Sequence, residues 1–363
     1  MLRSLACTLM RGGTSKGLFF DARDLPAEVT TRNAVLLAAM GSPDPRQIDG
    51  MGGAHPLTSK IAVISPSPHE NADVDYLFLQ AAIEKAELSD SQTCGNILAG
   101  VGPWAIEHDF VAPRGALTPV RIRMLNTGAL AVAHVPTPNN EVQYEGEARI
   151  DGVPGTAAAI AIDFEGIAGS SCGALLPTGS VFEEINGVAV TCIDNGMPVV
   201  VLNAADFGKT GGEAPDALEA DGDLKARIEA IRLIAGQRMH LGDVTKKTVP
   251  KMCLVLPSQA GHAIATRTFI PHRVHEAIGV LGAVSVATAC MIEGSVAAQI
   301  SRAQGRQGAC RLDVEHPSGF FTVEMDVVQG AKGIEIKRAA LLRTARKLME
   351  GRIFIHSAAW GPA

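Results

Sequence analysis

Aromatic residues make up only 4% of the 363-residue chain, too few for the stacking platforms that single-stranded nucleic acids need. Positive charge is also short. Thirty-two lysines and arginines against 38 aspartates and glutamates leave a net charge of −6, which attracts neither a phosphate backbone nor an anionic membrane surface. A small anion is still compatible with that balance, because a single cleft can be locally basic. No apolar run is long enough to span a bilayer, and Met1–Met10 lacks the extended apolar core and cleavage site of a signal peptide. The seven cysteines (Cys7, Cys94, Cys172, Cys192, Cys253, Cys290, Cys310) show no paired spacing. That pattern leads us to expect free thiols and a reducing cytoplasm.

What is present is a globular enzyme composition, 47% hydrophobic and 19% charged, at a length that favours two domains. Short β-branched runs punctuated by Gly, Pro and Asn read as strands, among them Lys60–Ile64, Val188–Ile193, Val199–Leu202 and Met252–Leu256. Helices are fewer: Thr31–Met40, Leu224–Ala235, and the small-residue apolar runs Ile97–Ile106 and Val284–Met291. The class is therefore α+β.

An internal repeat organises these elements. A shift of 191 carries Lys60 of Ser-Lys-Ile-Ala-Val-Ile onto Lys251 of Pro-Lys-Met-Cys-Leu-Val. The same shift carries Cys94 onto Ser285 and Asn126-Thr-Gly128 onto Pro317-Ser-Gly319, while a shift of 182 aligns Phe20–Leu25 with Leu202–Phe207. Strand alternation before the two turns is out of phase by one residue. Two homologous halves are expected, 1–182 and 183–340, with the boundary near the Pro-, Gly- and Asn-rich stretch 178–187. For the tail 341–363 a return to the first half is one option, which the sequence does not decide. Two such halves would hold a ligand in the cleft between them.

Cys94 opens Cys-Gly-Asn ahead of an apolar helix. A thiol there feels the positive helix end, and the amides of Gly95 and Asn96 suit a carboxylate. The other six cysteines read as structural. Lys60 lies in an otherwise apolar strand behind Ser59, with no carboxylate near it in sequence, so burial can turn it toward a base. An edge-strand lysine that blunts aggregation is the bland alternative for Lys60 and Lys251 alike. The turn Met10–Gly17 offers amides, the hydroxyls of Thr14 and Ser15, and the cations Arg11 and Lys16. Its spacing is not that of a nucleotide-binding phosphate loop. His272-Arg-Val-His275 lacks a third ligand for a metal, and Arg273 reads better as a carboxylate partner near a helix opened by Ser285. No serine-hydrolase elbow is present.

These motifs resemble one family along nearly the whole chain. Met10–Gly17, Gly41-Ser-Pro-Asp-Pro-Arg-Gln-Ile-Asp-Gly50, Leu57-Thr-Ser-Lys60, Cys94–Pro103, Ile193–Pro198, Phe269–Arg273 and Leu342–Arg346 are similar to the methylaconitate cis–trans isomerase family, and to its branch acting on 4-oxalomesaconate in gallate and protocatechuate breakdown. The resemblance implies a diaminopimelate-epimerase-like fold, two pseudo-symmetric domains each with a mostly antiparallel sheet around a central helix, and no cofactor. It implies an allylic 1,3-proton shift, or keto–enol tautomerisation, of a tricarboxylate by Lys60 and Cys94. Arg11, Thr14, Ser15, Ser59, Gly95, Asn96, Arg273 and Ser285 would hold the substrate, with Ser285 in place of the epimerases' second cysteine. A homodimer is expected. Thr93, Leu125, Val274 and Glu276 depart from the family pattern. The rival readings are a 2-methylaconitate isomerase, a non-catalytic tricarboxylate binder and, disfavoured by Ser285, a racemase.

Overall fold

The computed structural model describes residues 1–90, 93–210, 212–270, 273–303, 308–330 and 333–361. They form two compact units, 1–163 with 343–363, and 164–342. The stretch 178–187 lies inside the second unit and contains the short strand Glu183–Ile185.

The first half contains β1 (Leu2–Gly12), β2 (Ser15–Asp21), α1 (Val29–Met40), β3 (Lys60–Pro66), β4 (Val74–Ala81), β5 (Leu88–Ser89), α2 (Gly95–Glu107), β6 (Leu117–Met124), β7 (Leu130–Pro136) and β8 (Ile160–Glu165). There follow β9 (Glu183–Ile185), β10 (Val188–Asp194), β11 (Pro198–Asn203), α3 (Pro215–Ala220), α4 (Gly222–Arg238), β12 (Lys251–Leu256), β13 (Ile264–Ile270) and β14 (Arg273–Val274). The chain continues through α5 (Val280–Met291), α6 (Val296–Ile300), β15 (Gly308–His316), β16 (Gly319–Gly330), β17 (Gly333–Arg343) and β18 (Ala345–His356). No helix among the described residues is long and apolar enough to cross a membrane.

The pairing pattern repeats. In unit 1, β1–β2 is antiparallel, β2–β3 parallel, β3–β4 antiparallel, β4–β6 parallel and β6–β7 antiparallel. Unit 2 runs through the same five relations with β10–β11, β11–β12, β12–β13, β13–β15 and β15–β16. Lys60 and Lys251 begin equivalent strands. Asp21 and Asn203 each cap a 3-10 turn directly after β2 and β11. The mismatch in alternation has a simple cause. Eight residues separate Ile122 from its partner Ala131, but six separate Val314 from Phe321. A turn shortened by two moves one strand forward and the other back by one.

Helix boundaries follow their caps. Glu28 accepts from the amides of Thr30 and Thr31 at the start of α1, and Gly41 ends that helix in the left-handed conformation. Asp221 caps α4 through the Leu224 amide. One expectation fails: α5 begins at Val280 behind Gly279, so Ser285 lies inside the helix. Its hydroxyl donates to the Met197 carbonyl at 2.8 Å and accepts from the Asn195 amide at 3.1 Å. The residue in Cys94's place is Gly279. An apolar run without a Ser, Thr or Asp at its head gave no start signal, and the serine was satisfied mid-helix instead.

In unit 1 the sheet has two differently packed faces. Leu5, Cys7, Leu18, Phe20, Ile61, Val63 and Leu79 pack with α1. The alternate positions face α2, as the bond from Trp104 Nε1 to Thr8 Oγ1 shows. α2 is apolar all round and almost wholly buried. Its Gly100 admits the Phe19 ring, and its Gly102 admits Val135 and Ala133. Its first turn comes closest to the sheet. A Cβ on Gly12 would sit 2.3 Å from the Asn96 carbonyl oxygen, which is backbone and cannot step aside.

Gly12→Ala is therefore expected to destabilise the protein by about 1–3 kcal/mol. Gly222→Ala, at an open helical position, should stabilise it by about 0.5–1 kcal/mol. Urea unfolding of both variants checks the contrast, and equal effects would refute the close-approach argument.

Candidate active site

Alternation along β3 turns Lys60, Ala62 and Ile64 toward α2, because Ile61 and Val63 belong to the opposite core. Lys60 is 7% exposed. Its Nζ donates to Gln80 Oε1 at 2.8 Å and lies 5.1 Å from the centre of the Phe78 ring. Gln80 has no freedom to turn its amide round. Its Nε2 is directed at the carbonyls of Pro56, Ser59 and Ala81, which fixes its oxygen on the lysine. Among the described residues no carboxylate pairs with Lys60.

Cys94 is the N-cap residue of α2, with extended backbone (φ −129°, ψ 102°), and its side chain makes no capping bond. The sulfur is left beside the unpaired amides of the first helical turn. Two buried groups attend it. Tyr76 Oη points at the Cys94 carbonyl at 3.4 Å, and burial, then the nearby thiol, holds its phenol protonated. Arg343, 2% exposed, is pushed down to about 9 by burial, with Cys94 as the negative group that opposes the shift. The guanidinium and the thiol are therefore close enough to interact.

Lys60 and Cys94 thus meet the same face of β4. Tyr76, Phe78 and Gln80 are alternate residues on that strand, one at the cysteine and two at the lysine. At a rise of about 3.3 Å per residue, the two ends of this row are about 13 Å apart with Phe78 midway.

The β1–β2 turn closes over the start of α2. Gly13 takes φ +50°, and a Cβ there would strike Asn96 Oδ1. Asn96 Nδ2 donates to Thr14 Oγ1 at 3.1 Å. Asn96 Oδ1 and Ser15 Oγ are buried without a hydrogen-bond partner, two polar atoms turned to the space between turn and helix. Three other expected residues are placed differently. Ser59 is fully buried, and its hydroxyl is engaged with Gln47 Oε1 and the His55 carbonyl; it holds the 47–58 loop. Arg11 lies on the face of β1 turned away from α2, next to Lys16 and Arg346 in register, and its Nη1 donates to Gly13, Thr344 and the Thr344 hydroxyl. Arg273 opens β14 in unit 2 with an exposed side chain, near the Glu219 carboxylate.

Elsewhere in unit 2, Lys251 lines a cavity of about 40 Å³ with Cys253, Thr268 and Gly279. Burial, then Arg232, pushes it down to about 8. Burial also pushes Cys253, Cys290 and Cys172 up to about 12, which suits inert core thiols. His272 lies outside the described residues. Sequence reading missed Gln80 and Arg343. The signals were there: a lone amide in the apolar run Val74–Ala81, and an arginine within Ala339–Ala345.

Arg343→Met should slow alkylation of Cys94 by iodoacetamide near neutral pH by about tenfold, while Arg343→Lys retains most of the rate. Mass-spectrometric labelling rates decide it. An unchanged rate in the methionine variant would remove Arg343 from the site.

For Lys251 the folded-state value lies below the ordinary 10.5, so folding disfavours its charged form. The penalty is complete below pH 8 and fades as pH rises toward 10.5. Lys251→Met should then stabilise the protein at pH 7 by on the order of 2–3 kcal/mol and flatten stability between pH 8 and 10. Denaturation across that range is the measurement.

Comparison with known proteins places the chain in one family. Residues 2–356 match the family model described as PrpF protein. The 4-oxalomesaconate tautomerase of Pseudomonas putida is 57% identical over 357 residues, 98% of each chain. The (4E)-oxalomesaconate Delta-isomerase of Novosphingobium sp. (strain KA1) is 58% identical over 353 residues, 97% of this chain and 98% of that one. The crystal structure of a methylitaconate-delta-isomerase superposes with a TM-score of 0.88 at 34% identity, covering 100% of this chain and 98% of the other. The fold is α+β and diaminopimelate-epimerase-like, and the chain belongs to the PrpF family.

Proposed function

We propose that this chain is a cofactor-independent isomerase that relocates a proton on 4-oxalomesaconate, within the breakdown of gallate or protocatechuate. The observation that carries the reading is a buried amine without a carboxylate partner and a helix-capping thiol on the same face of β4. Relatives named for oxalomesaconate are 57–58% identical, against 34% for the methylitaconate isomerase.

In this mechanism the neutral Lys60 amine takes the proton from the carbon next to the substrate's carbonyl or carboxylate, leaving a delocalised enolate and an ammonium ion. The helix-start amides at Gly95 and Asn96, with Ser15 Oγ, stabilise the anion as it forms. Protonation on oxygen gives the enol. Protonation on the far allylic carbon gives the double-bond isomer. Cys94 supplies that proton or holds the charge, and the proton removed by Lys60 restores the balance. No electron leaves the substrate, so no redox partner is called for.

Lys60→Met should reduce turnover by about 10²–10⁴-fold and abolish solvent deuterium uptake at the reacting carbon, read by proton NMR. If Cys94 delivers the second proton, Cys94→Ser should keep deuterium washout while losing net isomerisation. Wild-type exchange in the lysine variant would refute the assignment. Direct assays with 4-oxalomesaconate and 2-methylaconitate separate the two substrates, and saturable binding without any exchange would mark a binder instead.

A further inference from the structure

A cavity of about 850 Å³ lies within unit 1, and Ser15 is the one lining residue that the Lys60–Cys94 chemistry uses. A loop frames it. The Ala158 amide bonds back to the Tyr144 carbonyl, and Ala148 bridges Ala157. The loop's base is tied by Tyr144 Oη to Glu107 Oε2 at 3.0 Å. At its tip, Gly152 comes so close to Thr14 that a Cβ would sit 3.0 Å from the threonine methyl.

The opposite wall is a row of three cations on adjacent strands. Arg346 of β18 pairs in register with Arg11 of β1, and Arg11 pairs with Lys16 of β2. Residues directly opposite one another point to the same side of a sheet, and like charges so placed repel. Among the described residues none of the three makes an ion pair. Arg11 reaches only carbonyls and a hydroxyl, whereas the neighbouring Lys347 is already paired with Glu107 and Glu350. Glu145 and Glu147 also line the cavity and make no ion pair with the row.

We propose that the part of this cavity away from Ser15 is a second anion site, on the other face of the sheet from the Lys60–Cys94 centre, that takes a compact polycarboxylate along the row Arg346–Arg11–Lys16. Three arguments lead there. Strand alternation sets the row on the face of β1 and β2 turned away from α2. Adjacent strands stand about 4.8 Å apart, so the three cations span about 10 Å. That matches carboxylates spread along a short carbon chain and exceeds what one phosphate can bridge. Arginine's forked donors also suit carboxylates bidentately. A polycarboxylate is the chemical class of the substrate proposed above, so occupancy would report on its supply. The site itself does not depend on that reading.

The test uses the full-length protein with citrate and inorganic phosphate as separate probes, in titration calorimetry and thermal melting. Citrate should bind saturably and more tightly than phosphate. Arg346→Gln and Lys16→Gln should each weaken citrate by about tenfold, with Arg346→Gln leaving isomerase turnover within about twofold. Without citrate, Arg346→Gln should melt above wild type, because a repulsion is relieved. With saturating citrate the order should reverse, a signature that general salt effects and simple misfolding do not produce. No saturable citrate binding would overturn the proposal, as would phosphate binding as tightly as citrate or full citrate affinity in the double variant. Loss of citrate binding in Lys60→Met equal to that in the double variant would place the anion at the reaction centre and overturn it as well.

Discussion

The arrangement depends on one close approach, between the Gly12–Gly13 turn and the first turn of α2. Backbone meets backbone there, at a distance that only glycine on the sheet side permits. The contact fixes where α2 begins, and so where Cys94 caps it. It also brings Ser15 and Thr14 to Asn96, while Gly17, one strand pair further along, is forced to be small by the Lys60 carbonyl. In the proposed mechanism the lysine, thiol and oxyanion donors are then positioned by sheet geometry and not by flexible loops. This is the kind of preorganisation that electrostatic catalysis requires.

Within that frame the two chemical groups are prepared differently. Lys60 has an amide oxygen and an aromatic face as its company, partners that orient its nitrogen without forming an ion pair. Cys94 has a helix end and a buried guanidinium beside it. A buried arginine is a large desolvation burden for a fold to carry. Its coupling to the thiol gives it a reason to be retained that packing alone does not supply.

Much of this was legible in the sequence, for identifiable reasons. Punctuated β-branched runs marked the strands around Lys60 and Lys251, and small-residue apolar runs marked α2 and α5. Repeat matches at Asp21 and Asn203, and at the two hairpin turns, survived because each serves a local cap or turn. What failed was the start of α5. Gly279 is a tolerated cap but a weak signal, so Ser285 was taken for a head it does not occupy. The facing of Arg11 was also hidden, because β1 has apolar residues on both sides near Leu9 and Met10 and alternation could not choose between them. Arg343 and Gln80 matter only through partners far away in the chain, which no local pattern reports.

The two halves also show how a repeated frame can be specialised. In unit 2 the turn at Asp194–Pro198 is bonded to α5 by the Asn195 amide to Ser285 and Asn195 Nδ2 to Thr288 at 2.8 Å, with Asp194 Oδ1 left without a partner. Gly279 offers no thiol there, and Lys251 lines a small, largely apolar hollow. In unit 1 the equivalent turn leaves Ser15 Oγ and Asn96 Oδ1 without protein partners. Buried polar groups left unsatisfied are costly, and a ligand that completes them recovers that cost on binding. In the proposed mechanism unit 1's helix start is the end that receives the polar substrate, and these two atoms are the ones the substrate would complete.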